Sequence, residues 1–209
     1  FAYMIPNVAM VRALRRAADT LDITIRHDAA VTDFSAEGGH AKLTLADGEE
    51  IATRLVVACD GVRSRLRDMA GIKTVKFDYG QSGIVTTVAH ERPHNGRAEE
   101  HFLPAGPFAI LPLTGNRSSL VWTERTEDAQ RLVDSDDMVF EAELERRFGH
   151  HLGKLTLAGG RRAFPLGLTL SRSFIAPRLA LAGDAAHGIH PISGQGLNLG
   201  FKDVAALAQ

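Results

Sequence analysis

A single cysteine, Cys59, is all the thiol chemistry the chain carries. No internal disulfide can form, so a disulfide scaffold is excluded and a reducing, cytoplasmic compartment is expected. Charge of one sign is missing too. Lys and Arg number 24 against 25 Asp and Glu, a net charge of -1, which argues against a nucleic-acid-binding surface. No apolar run approaches the roughly 20 residues that span a bilayer, and no stretch reads as a signal peptide. Internal repeats and low-complexity tracts are absent. What remains is an ordinary globular composition, 44% hydrophobic and 23% charged over 209 residues, enough for one or two domains with a real core.

The most informative stretch lies near the end of the chain. Leu179 to Ala182 is a short apolar run that predicts a buried strand, and Gly183-Asp184 stops it. Pro191 with Gly194 and Gly196 predicts a second tight turn, and Leu197 to Ala208 predicts a helix. A glycine-rich turn opening a helix presents unpaired N–H groups and the positive end of the helix dipole. With a carboxylate at the preceding strand end, the arrangement suits a ligand carrying both a polyol and an anionic group.

Other readings of these residues compete. Asp184, His187 and His190 have a spacing that could hold a metal, but no further ligand is evident. Ser193 with His187 and Asp184 suggests a hydrolase, yet Gly-x-Ser-x-Gly fails because position 191 is Pro. Gly194-x-Gly196 is not a dinucleotide fingerprint, since the third glycine position is Leu199. The stretch could also be a glycine-rich connector with no ligand.

The chain from Gly183 to Asp203 closely resembles the second FAD-binding motif of the flavoprotein aromatic hydroxylases of the p-hydroxybenzoate hydroxylase type. Gly183 to His187, Pro191, Gly194 to Gly196, Asn198, Gly200 and Asp203 all match it. His190-Pro-Ile-Ser-Gly-Gln-Gly-Leu-Asn-Leu-Gly200 most resembles the ubiquinone-biosynthesis hydroxylases, which act on 2-polyprenylphenols and their methoxylated relatives. A second match follows Leu55 to Cys59, itself predicted as a buried strand. There Asp60, Gly61, Ser64 and Arg67 repeat the family's Asp-Gly-x-x-Ser-x-x-Arg pattern, whose Asp is linked to flavin and pyridine nucleotide alike. As plain sequence, Arg63, Arg65 and Arg67 read about equally well as solvated charge on a short helix.

Elsewhere, Pro6-Asn7 followed by Val8, Val11, Leu14, Ala18 and Leu21 predicts a helix with Asn7 as N-cap. Strands are predicted at Ile23 to Ile25, Ala30 to Phe34 and Ala41 to Leu45, with Asp47-Gly48 turning into Glu50 to Thr53. From Phe77 the texture changes. Strands at Ile84 to Ala89, His101 to Leu103, Phe108 to Leu113 and Ser119 to Trp122 precede a helix at Ser135 to Phe148, which suggests a sheet-based insertion. Trp122 and Phe108 are candidate pocket residues, although aromatics in a sheet are more often core, and Arg161-Arg162 could equally be surface charge. Gly80-Gln81, Phe102 to Pro107, Leu111 to Leu113 and Phe164 to Leu166 again resemble the ubiquinone hydroxylases.

The expected fold is α/β plus α+β: part of an FAD/NAD(P)-binding domain (1–76, continued at 171–209) with an inserted sheet-based substrate domain (77–170). The resemblance implies a cofactor, FAD, reduced by NAD(P)H, and transfer of one oxygen from O2 to the ring of a polyprenylated aromatic small molecule. It implies cofactor contacts from Gly183, Asp184, Pro191, Gly194, Gln195, Gly196, Leu197 and Asn198. Further contacts are implied from Asp60, Gly61, Asn7 and, through its backbone, Val31. It marks no catalytic residue. A greasy substrate implies peripheral membrane contact or delivery within a biosynthetic complex. The family also begins with Gly-x-Gly-x-x-Gly on a strand-turn-helix and continues past Asp203, so the chain reads as the middle of a longer enzyme and is expected to be inactive alone. The competing readings are a scaffold homologue without activity, and a flavin hydroxylase or reductase of another substrate.

Overall fold

The computed structural model describes residues 3–209, apart from the side chain of Ser193. In chain order the elements are α1 (Asn7–Thr20), β1 (Val31–Glu37), β2 (His40–Leu45), β3 (Glu50–Thr53), β4 (Val56–Ala58), α2 (Arg65–Met69), β5 (Thr74–His90), β6 (Glu99–Leu103), β7 (Gly106–Leu113), β8 (Arg117–Arg125), α3 (Thr126–Asp134), α4 (Asp137–Phe148), β9 (Leu155–Leu157), β10 (Arg162–Ser171), β11 (Ile175–Ala176), β12 (Leu179–Leu181), α5 (Asp184–His187) and α6 (Gly196–Leu207). The chain divides into two compact units. The first comprises the chain to Thr24 with Gly80–Leu166, and the second Ile25–Tyr79 with Gly167–Gln209.

The first unit is built on a sheet of order β10-β5-β8-β7-β6, in which β5 to β8 pair antiparallel with their neighbours in that run and β9 also pairs β5 antiparallel. Side chains alternate between the faces of a strand, so Ile84 and Val88, Leu120 and Trp122, and Phe108 and Ile110 all fall on one face. The register brings Trp122 opposite both Ile84 and Phe108. Helices α3 and α4 cover this face with Ala129, Leu132, Phe140, Leu144 and Phe148, the last three spaced four apart along one helix stripe. The expected helix at Ser135 to Phe148 is α4, and α3 precedes it without a signal in the sequence. In α3 only Ala129 and Leu132 are buried, too few apolar positions to show a period. Asp136 separates the helices and caps α4, accepting from the Val139 N–H at 2.9 Å.

In the second unit β1, β2 and β3 form an antiparallel meander turned at Asp47-Gly48, with Gly48 at φ +86°. A smaller sheet has order β11-β12-β4, and β12 runs parallel to β4 with Leu179, Ala180 and Leu181 opposite Val56, Val57 and Ala58. Its core is small and aliphatic: Ala41, Val56, Ala58, Leu179, Leu181 and Ala186.

Two local expectations are corrected. Ile23 to Ile25 forms no strand; left-handed residues at Asp22 (φ 54°) and Asp28 (φ 56°) bend the chain on either side. Asn7 is the first residue of α1 rather than its cap. Pro6 takes the cap position, and its carbonyl accepts from Ala9 and Met10 with no side-chain cap bond. Among the described residues no helix is long and apolar enough to cross a membrane.

Candidate functional site

Because β4 and β12 are parallel, the turns that follow them lie at the same edge of their sheet. In open sheets of this kind ligands bind beyond the carboxyl ends of the strands. Both turns carry an aspartate and a glycine with positive φ: Asp60-Gly61 (φ +84°) after β4, and Gly183-Asp184 (Gly183 φ +61°) after β12.

The turn after β4 is fixed by its own side chains. Asp60 Oδ2 accepts from the backbone N–H groups of Arg65 at 2.9 Å and Leu66 at 3.3 Å. Ser64 Oγ caps α2 by accepting from the Arg67 N–H at 3.0 Å. Arg63 and Arg65 are exposed, as solvated charges would be, but Arg67 is only 1% exposed. Its guanidinium donates to the carbonyls of Val62 (3.1 Å) and Ala185 (3.2 Å) and to Asp68. Arg67 thus joins the two aspartate turns through their backbones. Ser171 also donates to the Ala185 carbonyl, at 3.1 Å, so this buried acceptor within a one-turn helix is fully used.

The turn after β12 carries Asp184, exposed at the start of α5. Gly183 donates its N–H to Asp203 Oδ2 at 2.8 Å, and the same oxygen lies 2.7 Å from His187 Nε2. Gly188 has a steric role that the motif alone does not explain: a Cβ there would lie 2.8 Å from Val62 Cγ2. His190 is used as a cap, its Nδ1 accepting from the Ile192 N–H at 3.1 Å. Among the described residues no cluster could hold a metal. The hydrolase reading loses its constellation: His187 pairs with Asp203 rather than Asp184, its Nδ1 is buried without a partner among the described residues, and the Ser193 side chain lies outside them.

Pro191 opens a 3-10 turn (Pro191–Ser193), and Gly194 closes it in the left-handed region at φ 60°, ψ 24°. Gln195 then caps α6, which begins at Gly196, one residue earlier than expected. Leu199 donates to the Gln195 carbonyl at 2.9 Å, and Asn198 Nδ2 to Gln195 Oε1 at 3.4 Å. Leu197 and Asn198 are exposed in the first turn of α6. The N–H groups of a helix's first turn have no acceptor within the helix.

The remaining candidates are dispersed. Val31 opens β1 opposite Leu45 in the second unit, whereas Asn7 is an exposed residue of α1 in the first. Phe108 and Trp122 are both fully buried in the first unit's core, with ring centroids 5.8 Å apart. Trp122 Nε1 donates to Glu124 at 2.9 Å, and the Arg147 guanidinium lies 4.5 Å from the indole ring centre while pairing with Glu124 at 2.7 Å. Arg161 is not surface charge: it donates to the carbonyls of Val133 and Ser135 and packs over Phe140.

Known proteins share both the sequence and the fold. Ubiquinone hydroxylase UbiL of Rhodospirillum rubrum is 49% identical over 208 residues, covering 99% of this chain and 48% of that protein. The 3-demethoxyubiquinol 3-hydroxylase of Escherichia coli is 37% identical over 207 residues, covering 98% and 52%. The chain thus spans about half the length of these curated relatives. Among solved structures, PqsL of Pseudomonas aeruginosa in complex with 2-aminobenzoylacetate superimposes with a TM-score of 0.81 at 24% identity, covering 98% of this chain and 59% of that one, a likeness of fold. The FAD binding domain model matches residues 1–209. The resemblance read from the two aspartate–glycine motifs is borne out: the chain belongs to the FAD-binding-domain family.

Proposed function

We propose that the natural protein carrying this chain is an FAD-dependent monooxygenase that hydroxylates the ring of a polyprenylated phenol in ubiquinone biosynthesis, using NAD(P)H and O2. The relatives named ubiquinone hydroxylase and 3-demethoxyubiquinol 3-hydroxylase support the class. The observation that carries it to these residues is Gly196. It has no positive φ, and a Cβ built on it meets nothing within 4 Å. The protein's own backbone and packing therefore give no reason for glycine there, and a ligand lying against the helix end does. Gly194 is equally open, although its left-handed backbone already favours glycine.

In this reading Asp184 accepts hydrogen bonds from the ribityl hydroxyls. The turn from Gly194 to Asn198, entered through Pro191, brings backbone N–H groups to the anionic edge of the flavin ring. The Asp60-Gly61 turn lies on the flavin and pyridine-nucleotide side, and the Val31 backbone holds adenine. Bound FAD, reduced by NAD(P)H, supplies the oxygen-transfer chemistry; the protein supplies placement and exclusion of water. Residues 77–170 form the substrate domain, and 1–76 with 171–209 serve the cofactor. The enzyme works in the cytoplasm and meets its substrate by peripheral membrane contact or by delivery within a biosynthetic complex.

The test is Gly196→Ala and Gly196→Val in the natural protein. Both are expected to melt at or above the parent's temperature without cofactor, while FAD affinity falls mildly for Ala and severely for Val. Normal FAD affinity in Gly196→Val would falsify the assignment of this turn. NAD(P)H consumption with a polyprenylphenol, and a product heavier by one oxygen, separates an enzyme from a scaffold.

A further inference from the structure

We propose that Asp203 and His187 are positioning residues that hold the Gly183-Asp184 turn and the start of α6 as one frame. The inference rests on the cofactor reading above, but its geometry does not. One carboxylate oxygen, Asp203 Oδ2, takes the Gly183 N–H at 2.8 Å and His187 Nε2 at 2.7 Å. Three residues earlier on α6, Gly200 meets the same turn, where a Cβ would lie 3.2 Å from Gly183 Cα. Residues three apart share a helix face, so backbone contact and carboxylate grip act on Gly183 from one side of α6.

His187 anchors this grip to the rest of the unit. Its backbone bridges Leu170, its ring meets Phe174 edge-on at 5.8 Å, and its side chain is 9% exposed. Its Nδ1 is buried without a hydrogen-bond partner. A doubly protonated ring would bury an unsatisfied N–H, so the arrangement fits a neutral imidazole donating from Nε2 to an ionised Asp203. Neither side chain is required to touch a cofactor. They set where Asp184 and the N–H groups of Gly196 to Asn198 stand, and placement errors of about an ångström are costly at such sites.

The experiment compares Asp203→Ala, Asp203→Asn, His187→Ala and His187→Gln in the natural protein. Glutamine places an amide N–H where the Nε2–H stands, so His187→Gln is expected to keep FAD affinity within about threefold. His187→Ala and Asp203→Ala are expected to lose about tenfold. If the misplaced helix end weakens reduced flavin tenfold more than oxidised flavin, the two-electron midpoint falls by about 30 mV. Asp203→Asn keeps an acceptor for Gly183 and should fall between, which leaves the proposal testable where the alanine variant does not fold. Nitrogen NMR of the parent should show the His187 proton on Nε2. Alanine variants with lower melting temperatures but unchanged FAD affinity and potential would reduce the pair to a structural contact and overturn the proposal. If the parent itself binds no FAD, the cofactor reading has failed, and amide exchange in the cofactor-free protein decides this one. Faster exchange at Gly183 in Asp203→Ala, with α2 unchanged, supports the frame; unchanged exchange at Gly183 sinks it.

Discussion

The two units put their polar side chains to different main uses. In the first, Trp122, Glu124, Arg147 and Glu143 form a side-chain network around an aromatic core of Phe108, Phe140 and Phe148. In the second, Arg67, Ser171, His187 and Ser64 are buried mainly to hold backbone: the Ala185 carbonyl, the Gly183 turn and the first turn of α2. Its apolar core is built of Ala, Val and Leu. One unit derives its stability from bulk. The other uses small residues and hydrogen bonds to fix the path of three turns, which is what a ligand-holding edge requires.

The largest expected effect that tests this contrast is Trp122→Ala. Emptying a fully buried indole costs about 3–5 kcal/mol, so the first unit should unfold at markedly lower denaturant while FAD affinity of the folded protein stays unchanged. Lost FAD affinity at full stability would break the comparison. Asp184→Ala is the converse. Removing a charge-assisted hydrogen bond costs about 1.5–3 kcal/mol in binding, roughly ten- to a hundredfold, and melting without cofactor should not move, because Asp184 is exposed.

A smaller effect follows from Glu143. Its hydrogen bond to Arg147, aided by the charges of Arg146, Arg147 and Arg131, holds its pKa below the usual carboxylate range against a weaker opposing effect of desolvation. A carboxyl depressed in the folded state stabilises above its unfolded pKa, and that stabilisation disappears as pH falls through the folded value. Glu143→Gln should therefore destabilise at neutral pH and converge with the parent in acid, as denaturation at several pH values would reveal. The smallest effect is kinetic. Partial burial raises the Cys59 thiol pKa, and Asp60 and Asp203 push it further. Its alkylation rate should rise at higher pH than that of a free cysteine, near 8.5; a profile at the ordinary position would mean these carboxylates do not act on it.

Much of the second unit was legible because its turns are written in residue type. Asp47-Gly48, Asp60-Gly61, Gly183-Asp184 and Pro191 to Gly194 each name a backbone conformation, and each turn is where it was expected. The short parallel strands were legible as apolar runs. What escaped were features set by long-range contact. Arg67 looks like its exposed neighbours Arg63 and Arg65 until Ala185, 118 residues away, supplies an acceptor. Helix α3 carries too little apolar pattern, and the end of β12 reveals nothing of Asp203 except through motif resemblance. Asn7 failed as a cap because a proline carbonyl already begins the helix.

The pairing of Gly200 and Asp203 on Gly183 also turns part of this sequence into a counted length. Each residue of an α-helix advances about 1.5 Å and rotates about 100°. One residue inserted between Gly200 and Asp203 would swing the carboxylate a quarter-turn or more away from the Gly183 N–H while Gly200 stayed against the backbone. One removed would swing it as far the other way. A change of length between Gly200 and Asp203 therefore breaks one contact or the other, and natural variation in length should avoid that span.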